Sequence, residues 1–183
     1  MSTDTKPQPD ASTDAEVLEI MQSAFEAARN GDAAFLKTWL EKGLPPNLQN
    51  TRGDTLLMLA AYHSHTDASR TLLDAGADPD ILNDQGQTPL MGAAFRGDTA
   101  TAELLVERGA GLDVAAPGGK TALTMAAMFG RMDMMNWLLD LGADPSLRDG
   151  GGASAADAAR VMGAADTAAR LDEVLAEAVT SDI

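Results

Sequence analysis

One period of 33 residues runs through most of this chain. Two glycine columns, a threonine column and a column of paired alanines all keep the same step. They are Gly43, Gly76, Gly109 and Gly142; Gly53, Gly86, Gly119 and Gly152; Thr55, Thr88 and Thr121; and Ala60-Ala61, Ala93-Ala94 and Ala126-Ala127. A fixed period of this length predicts a stack of similar units, each of which buries its apolar face against its neighbours.

Each unit contains two short segments with helical apolar spacing, such as 56–63 and 67–75. Helices this short are unstable alone, so packing between units has to hold them. Thr55 and Thr88 directly precede apolar residues, where a hydroxyl can cap a helix, and Pro89 suits the first helical position. The first glycine column follows apolar runs, where a left-handed glycine ends a helix. The pattern predicts an all-α fold of helix-turn-helix units joined by tight turns.

The motif within each unit resembles the ankyrin repeat. In the clearest unit, the run Gly86-Gln87-Thr88-Pro89-Leu90 is followed by paired alanines, a Leu-Leu pair and Gly109-Ala110. The resemblance covers three full units, residues 50 to 148, with a degenerate unit at each end. The chain is similar to short free-standing bacterial ankyrin repeat proteins. This resemblance implies an all-α solenoid of about five repeats with β-turn or hairpin tips.

Two departures from the family pattern affect the expected rigidity. The first is that Met58, Met91 and Thr124 stand in the column where the family places a histidine. In the family, that histidine ties neighbouring turns together by hydrogen bonds. The second is that residues 111–118 differ from the usual tip sequence. This second departure predicts a distorted or mobile hairpin at that tip.

The repeat register also predicts the domain boundaries. Residues 16–179 are expected to form a single ankyrin domain, and residues 1–15, rich in Ser, Thr, Asp and Pro, a disordered acidic tail. Residues 180–183 are expected to fray. The units are predicted at residues 17–49, 50–82, 83–115, 116–148 and 149–179, the first and last being degenerate caps.

The charge balance narrows the class of partner. Thirteen basic residues against 28 acidic ones give a net charge of −15 at pH 7. Nucleic acids and anionic membranes are bound mainly by basic side chains, so neither partner is expected. The chain has no cysteine, which excludes disulfides and thiol catalysis. No secretory leader or uninterrupted apolar stretch of about 18 residues is visible, so we expect a soluble, cytoplasmic monomer.

Few residues are arranged for catalysis or metal binding. Residues 117–121 resemble the tail of a phosphate-binding loop, but Val114 stands where its first glycine belongs. His63 and His65 are two residues apart, so a helix would not present both on one face. Five methionines between residues 125 and 135 suit core packing better than copper binding. We predict no catalytic residue, cofactor or metal. The alternative is a small-molecule- or metal-responsive protein that uses His63 and His65 or the Met-rich third repeat.

One face of the stack is the candidate binding site. The resemblance implies that partners contact the hairpin tips and the exposed parts of the first helix in each unit. The predicted partner-binding residues are Arg52, Asp84, Gln85 and Lys120 at the tips, and Tyr62, His63, Phe95, Arg96, Met128 and Phe129 on the helices. Aromatic residues, arginine and methionine are enriched at interfaces. Packing between neighbouring repeats is the alternative explanation for the column 62/95/128. The predicted function is a non-enzymatic module that binds an unidentified protein partner.

Overall fold

Ten helices make up the part of the protein that the structure describes. The computed structural model describes the backbone of residues 11–181 and the side chains of residues 15–178, and it contains no strand within these bounds. The helices are α1 (Ala11–Asn30), α2 (Ala33–Glu41), α3 (Leu56–Tyr62), α4 (Thr66–Asp74), α5 (Pro89–Arg96), α6 (Thr99–Glu107), α7 (Ala122–Met128), α8 (Met132–Asp140), α9 (Ala155–Val161) and α10 (Ala165–Ser181). The predicted all-α solenoid is confirmed.

The odd-numbered helices, which we call the inner helices, begin at hydroxyl caps from α3 onward. Thr55 Oγ1 accepts a hydrogen bond from the backbone N–H of Met58 at 3.0 Å, and Thr88 and Thr121 repeat this cap on α5 and α7. Ser154 caps α9 within a reciprocal capping box. Each cap contributes about 1 kcal/mol, so the hydroxyl residues at this position fix the starts of α3, α5, α7 and α9 locally.

Each inner helix is followed by a turn in the left-handed backbone region. Gly31, Gly97, Gly130 and Gly163 occupy this position with positive φ, in step with the 33-residue period. Ser64 takes the same position with φ of 62°. A side chain in this region costs roughly 1–2 kcal/mol. The turn after α3 is therefore strained relative to its equivalents.

The core consists of alanines between helices and leucines between layers. Consecutive inner helices contact one another along the stack, and each inner helix from α1 to α9 also contacts the outer, even-numbered helix of its own unit. All six alanines of the paired column are fully buried, which lets these helices approach closely. The largest fully buried leucines are Leu36, Leu56, Leu57, Leu72, Leu90, Leu104, Leu105, Leu123 and Leu138. Burial of each contributes about 1.5–3 kcal/mol.

The tips between units are closed by a side chain at their first residue. Asn50 Oδ1 accepts from the backbone N–H groups of Arg52 at 2.8 Å and Asp54 at 3.0 Å, and Asn83 and Asp149 make the equivalent pairs. In these three tips the first residue's N–H also donates to the carbonyl four residues later. Two of the tips have a single β-bridge, Gln49 to Thr55 and Arg148 to Ser154. The predicted hairpins are therefore reduced to tight turns.

The third tip differs from the others because Ala116 stands where they have asparagine or aspartate. Within this described tip, Gly119 N–H donates to the Ala116 carbonyl at 2.7 Å, but the bond from Ala116 N–H to the Lys120 carbonyl is absent. The turn is present without its closing bonds. This difference lies in and beside the segment 111–118 whose sequence departs from the family pattern.

A second set of side chains links successive units at the start of each new repeat. Asn47 Oδ1 accepts from the backbone N–H of Asp78 at 2.8 Å, and Asp80 accepts from Gly111 N–H at 3.0 Å. Asp113 accepts from Asp144 N–H at 3.2 Å. These bonds span 31 residues and recur in step with the period. Two of these three acceptors are aspartates, so these acidic side chains stabilise the turns between repeats.

The two ends of the stack differ from the sequence prediction. Helix α1 begins at Ala11, so the tail predicted at residues 1–15 is too long by residues 11–15, while residues 1–10 lie outside the described part. Residues 11–16 contain two alanines and a glutamate and no glycine or proline, a composition that supports helix. Residues 180 and 181, predicted to fray, belong to α10. Residues 182 and 183 lie outside the described part. No described helix is both long and apolar enough to cross a lipid bilayer.

Candidate functional site

Tips and inner helices together line a chain of adjoining grooves. The first groove, about 430 Å³, brings five of the predicted residues together with Arg29, Met58 and Gln87; the five are Arg52, Tyr62, His63, Asp84 and Gln85. A second groove of about 210 Å³ is lined by Tyr62, Phe95 and Phe129. A third, about 320 Å³, includes Gln85 and Lys120. Because neighbouring grooves share lining residues, we treat them as one surface, the inner groove.

Three rings from successive inner helices form a continuous row, the aromatic ladder of Tyr62, Phe95 and Phe129. The Tyr62 and Phe95 rings are stacked, with centroids 5.4 Å apart and planes 7° apart. The Phe95 and Phe129 rings meet edge to face at 4.5 Å. Tyr62 remains 39% exposed, and the two phenylalanines are half-buried. The ladder therefore packs between repeats and presents a surface at the same time.

Close contact between α3 and α5 makes the ring stacking possible. An added Cβ at Gly92 would lie only 3.3 Å from the Cα and N of Tyr62, which is tighter than ordinary van der Waals contact. Glycine in this position lets the middle of α5 lie against the end of α3. Tyr62 and Phe95 are thereby held at stacking distance.

The apolar surface continues past the ladder. Val161 and Met162 occupy the next step of the same two columns and are 86% and 49% exposed. Met128 is half-buried, and Arg96 is exposed at the end of α5; neither lines the three grooves. Along these two columns, aromatic side chains at the N-terminal end of the stack give way to aliphatic side chains at the C-terminal end.

The floor of the inner groove includes residues that the sequence analysis did not assign to the site. Met58 and Met91 are almost fully buried beneath the groove, Met125 lies half-buried beside them, and Gln87 contributes to all three grooves. Arg29 was missed as well. It lies one period before Tyr62, so extending that column backwards by 33 residues would have found it.

Similarity to known proteins agrees with this geometry. A family model described as ankyrin repeats, in three copies, matches residues 24–116 and 71–149, which is more than half of the chain. The chain belongs to the ankyrin repeat family. A Pseudomonas aeruginosa protein described as an ankyrin repeat protein is 49% identical over 57 residues, which are 31% of this chain and 33% of that protein. The matched segment thus spans a third of that relative. Ankyrin repeats are in general protein-protein interaction modules and generally not enzymes.

At the tips of the ankyrin stack, one carboxylate joins two repeats. Asp54 accepts hydrogen bonds from Asn83 Nδ2 at 2.8 Å and Asn50 Nδ2 at 3.1 Å, and it pairs with the Arg52 guanidinium at 3.0 Å. Burial alone would raise the pKa of Asp54, but these hydrogen bonds and the arginine charge outweigh it and hold the pKa below its usual range. The first two tips therefore carry a fixed negative charge beneath Arg52.

The two histidines have different environments. His65 Nε2 hydrogen-bonds the Arg29 carbonyl at 2.8 Å, and its ring lies so close to Gly31 that a Cβ there would approach it to 2.6 Å. His63 is exposed, and partial burial followed by the positive charges of His65, Arg96 and Arg29 lowers its pKa. Their ring centroids are 6.3 Å apart. His65 thus ties two repeats together, while His63 borders the groove.

Other sequence candidates are engaged structurally. Lys120 pairs with Asp149 of the next tip at 3.5 Å. Met134 and Met135 are fully buried in the core, whereas Met125 faces the groove. Among the side chains of residues 15–178, no three of the His, Asp or Glu type come together as metal ligands could. The arrangement offers an extended recognition surface with an apolar ladder and polar tips.

Proposed function

We propose that this protein is a non-enzymatic interaction module that binds one protein partner across the inner groove. The observation that carries the proposal is the aromatic ladder: rings from three successive repeats form one row that is half-open to solvent. The contact residues are those named from the sequence, namely Arg52, Tyr62, His63, Asp84, Gln85, Phe95, Arg96, Lys120, Met128 and Phe129. A net charge of −15 favours a protein over a nucleic acid as the partner.

Recognition by such a surface needs little rearrangement. The backbone beneath the ladder is held by buried alanines and by caps at each inner helix, so the rings are already in place before binding. Aromatic residues have few rotatable bonds and give a large contact area at a low entropic cost. Aromatic residues that act as hot spots of an interface contribute more than about 1 kcal/mol each.

The test removes the rings while it preserves the packing. Tyr62, Phe95 and Phe129 are replaced together by leucine, because leucine keeps apolar volume where alanine would leave cavities. The matched control is Leu141→Ala, which trims a side chain that is 46% exposed outside the inner groove. Circular dichroism and thermal melting first establish that both variants keep the wild-type helicity.

Each protein is then used as bait in a lysate of its source organism, with capture quantified by mass spectrometry. We expect a protein captured by wild type and by Leu141→Ala to be lost with the triple-leucine variant. Equal capture by all three baits would place the contact outside the ladder. Failure of every bait to capture a specific protein would count against the interaction module itself.

A further inference from the structure

Basic side chains from successive repeats adjoin the aromatic ladder. Arg29 lies in the last turn of α1, His63 directly follows α3, and Arg96 ends α5. Arg131, the N-cap residue of α8, comes close to Arg96, since its Nε donates to the carbonyl of the preceding residue, Phe95, at 3.0 Å. We call these four residues the basic row. Arg29 and His63 also line the inner groove beside Tyr62.

Within residues 15–178, the arginines of the basic row form no ion pair with a carboxylate. Among the other described basic residues, Lys37, Lys42 and Arg70 on the outer helices and their ends form none either. Elsewhere, Arg52, Arg108, Arg148, Arg160, Arg170 and Lys120 all form ion pairs. Within the described residues, Arg29, Arg96 and Arg131 form none, although acidic residues outnumber basic ones 28 to 13. The carboxylate nearest to Arg96 in sequence, Asp98, is directed to the start of α6, where it accepts from Thr101 N–H.

Helix termini account for only part of this positive charge. The C-terminus of each inner helix carries about half a unit of negative charge, and a nearby arginine compensates for it. Arg29 and Arg96 lie in the last turns of α1 and α5, where each full charge exceeds the half unit that it compensates, whereas Arg131 lies at the N-cap of α8, where the helix terminus carries no negative charge. The surroundings of His63 agree, because the charges that act on it are those of His65, Arg96 and Arg29.

We infer that the basic row and the aromatic ladder together bind a partner segment in which an acidic side chain adjoins an aromatic or large aliphatic one. This inference rests on the proposed function and names the chemistry of the partner. The apolar side chain packs on the Tyr62 and Phe95 rings, and the carboxylate pairs with Arg29 or Arg96, which lie on either side of His63 in the stack. Guanidinium groups suit this role because they bind carboxylates through two parallel hydrogen bonds.

The negative net charge of the protein further restricts where an acidic partner segment can bind. A segment with acidic residues is repelled by most of a surface whose net charge is −15, and it is attracted where several basic side chains lie near one another, as Arg29 and Arg96 do around His63. Complementary charge at one place and like charge elsewhere restrict where such a segment can bind. The apolar ladder beside the row supplies contact area that charge alone does not.

In the test, the full chain is the bait for a random peptide library. The library contains Asp, Glu, Lys and Arg in equal shares, so that it favours neither charge. We expect the enriched peptides to carry Asp or Glu next to Phe, Tyr, Trp, Leu or Met. The best peptide is then measured by fluorescence anisotropy against Arg29→Glu/Arg96→Glu. The control is Lys37→Glu/Arg70→Glu, which changes the net charge equally at exposed positions of the outer helices α2 and α4.

We expect the inner double variant to bind at least about tenfold more weakly and the outer one to stay close to wild type. Enrichment of neutral or basic peptides, or equal loss in both variants, would overturn the inference. The triple-leucine ladder variant separates the two proposals. If this variant loses peptide binding while Arg29→Glu/Arg96→Glu keeps it, the interaction module is supported and the acidic partner segment is refuted. Failure to enrich any peptide would count against both.

Discussion

Replacing Ala116 by asparagine should close the third tip of the stack. At the equivalent positions, Asn50 and Asn83 each accept two backbone hydrogen bonds at 2.8–3.0 Å. In the third tip, the corresponding donors are the N–H groups of Gly118 and Lys120, for which the described structure provides no protein acceptor. The backbone of this tip also differs, because its left-handed glycine is Gly118, one position earlier in the repeat than Gly53, Gly86 and Gly152 in the other tips. The substitution therefore supplies the missing acceptor, and the turn has to shift toward the geometry of the other tips to use it.

The expected gain follows from the number of bonds. Two hydrogen bonds at about 0.5–1.5 kcal/mol each give about 1–3 kcal/mol. Ordering the new side chain costs part of this, of the order of 1 kcal/mol, so a net gain of about 1 kcal/mol remains. In a domain of this size, that raises the melting temperature by about 2–4 °C. The site is closely packed on one side, because a Cβ added at Gly86 would lie 2.7 Å from the Ala116 Cβ, so the new amide has to extend along the turn and not toward Gly86.

Urea unfolding followed by circular dichroism measures the gain, and hydrogen exchange locates it. We expect a higher midpoint at unchanged slope, together with slower exchange at the Lys120 amide. Ala116→Gln is the control, because its longer side chain adds the same amide without matching the turn. An unchanged midpoint, an unprotected Lys120 amide or an equal gain with glutamine would refute the hydrogen-bond explanation.

Three further predictions concern single positions. Ser64→Gly should raise the free energy of unfolding by roughly 1 kcal/mol in urea titrations, because it relieves a side chain at φ 62°; a loss would show that the hydroxyl matters more than the strain. In the folded state, the pKa of Asp54 is below its usual value. The ionised carboxylate therefore stabilises the fold fully at any pH above the usual pKa, and this contribution is lost as the pH falls through the folded pKa. Asp54→Asn should thus be less stable than wild type at pH 7, and the gap should narrow below about pH 4 in thermal melts; a constant gap would contradict the assigned ionisation. Thr167→Val should cost about 0.5–1.5 kcal/mol and loosen α10, because it removes the bond of 2.7 Å to the Ala127 carbonyl, which keeps its bond from the Gly130 N–H at 3.2 Å; limited proteolysis that finds α10 unchanged would oppose this role.

Helix starts and turns were predictable because their causes are local. The bond that caps α3 joins Thr55 to Met58, three residues away, and the turn glycines act through their own backbone angles. Such features recur whenever the same residue returns after 33 positions. The register therefore also showed which residues share a face, including Tyr62 and Phe95. The same register shows that alanine replaces asparagine or aspartate at position 116.

The start of α1 could not be located from the period. Residues 11–15 precede the first recognisable column, and their composition is compatible with either a polar tail or a helix. Arg29 was overlooked because it belongs to a degenerate unit, although its column position matches that of Tyr62. A degenerate unit keeps the register through residues such as Gly43, but this one lacks the preceding tip motif that marks the candidate site in the other units.

Periodicity thus decided the fold, the caps and the face on which the candidate site lies. Only the tertiary structure decided how that face is built: which rings stack, that His65 bonds the Arg29 carbonyl 36 residues earlier, and which arginines are left without carboxylates. These properties depend on the distance between adjacent repeats and on side-chain rotamers. Both arise from packing across the stack, where Gly92 and the buried alanines bring the inner helices into contact.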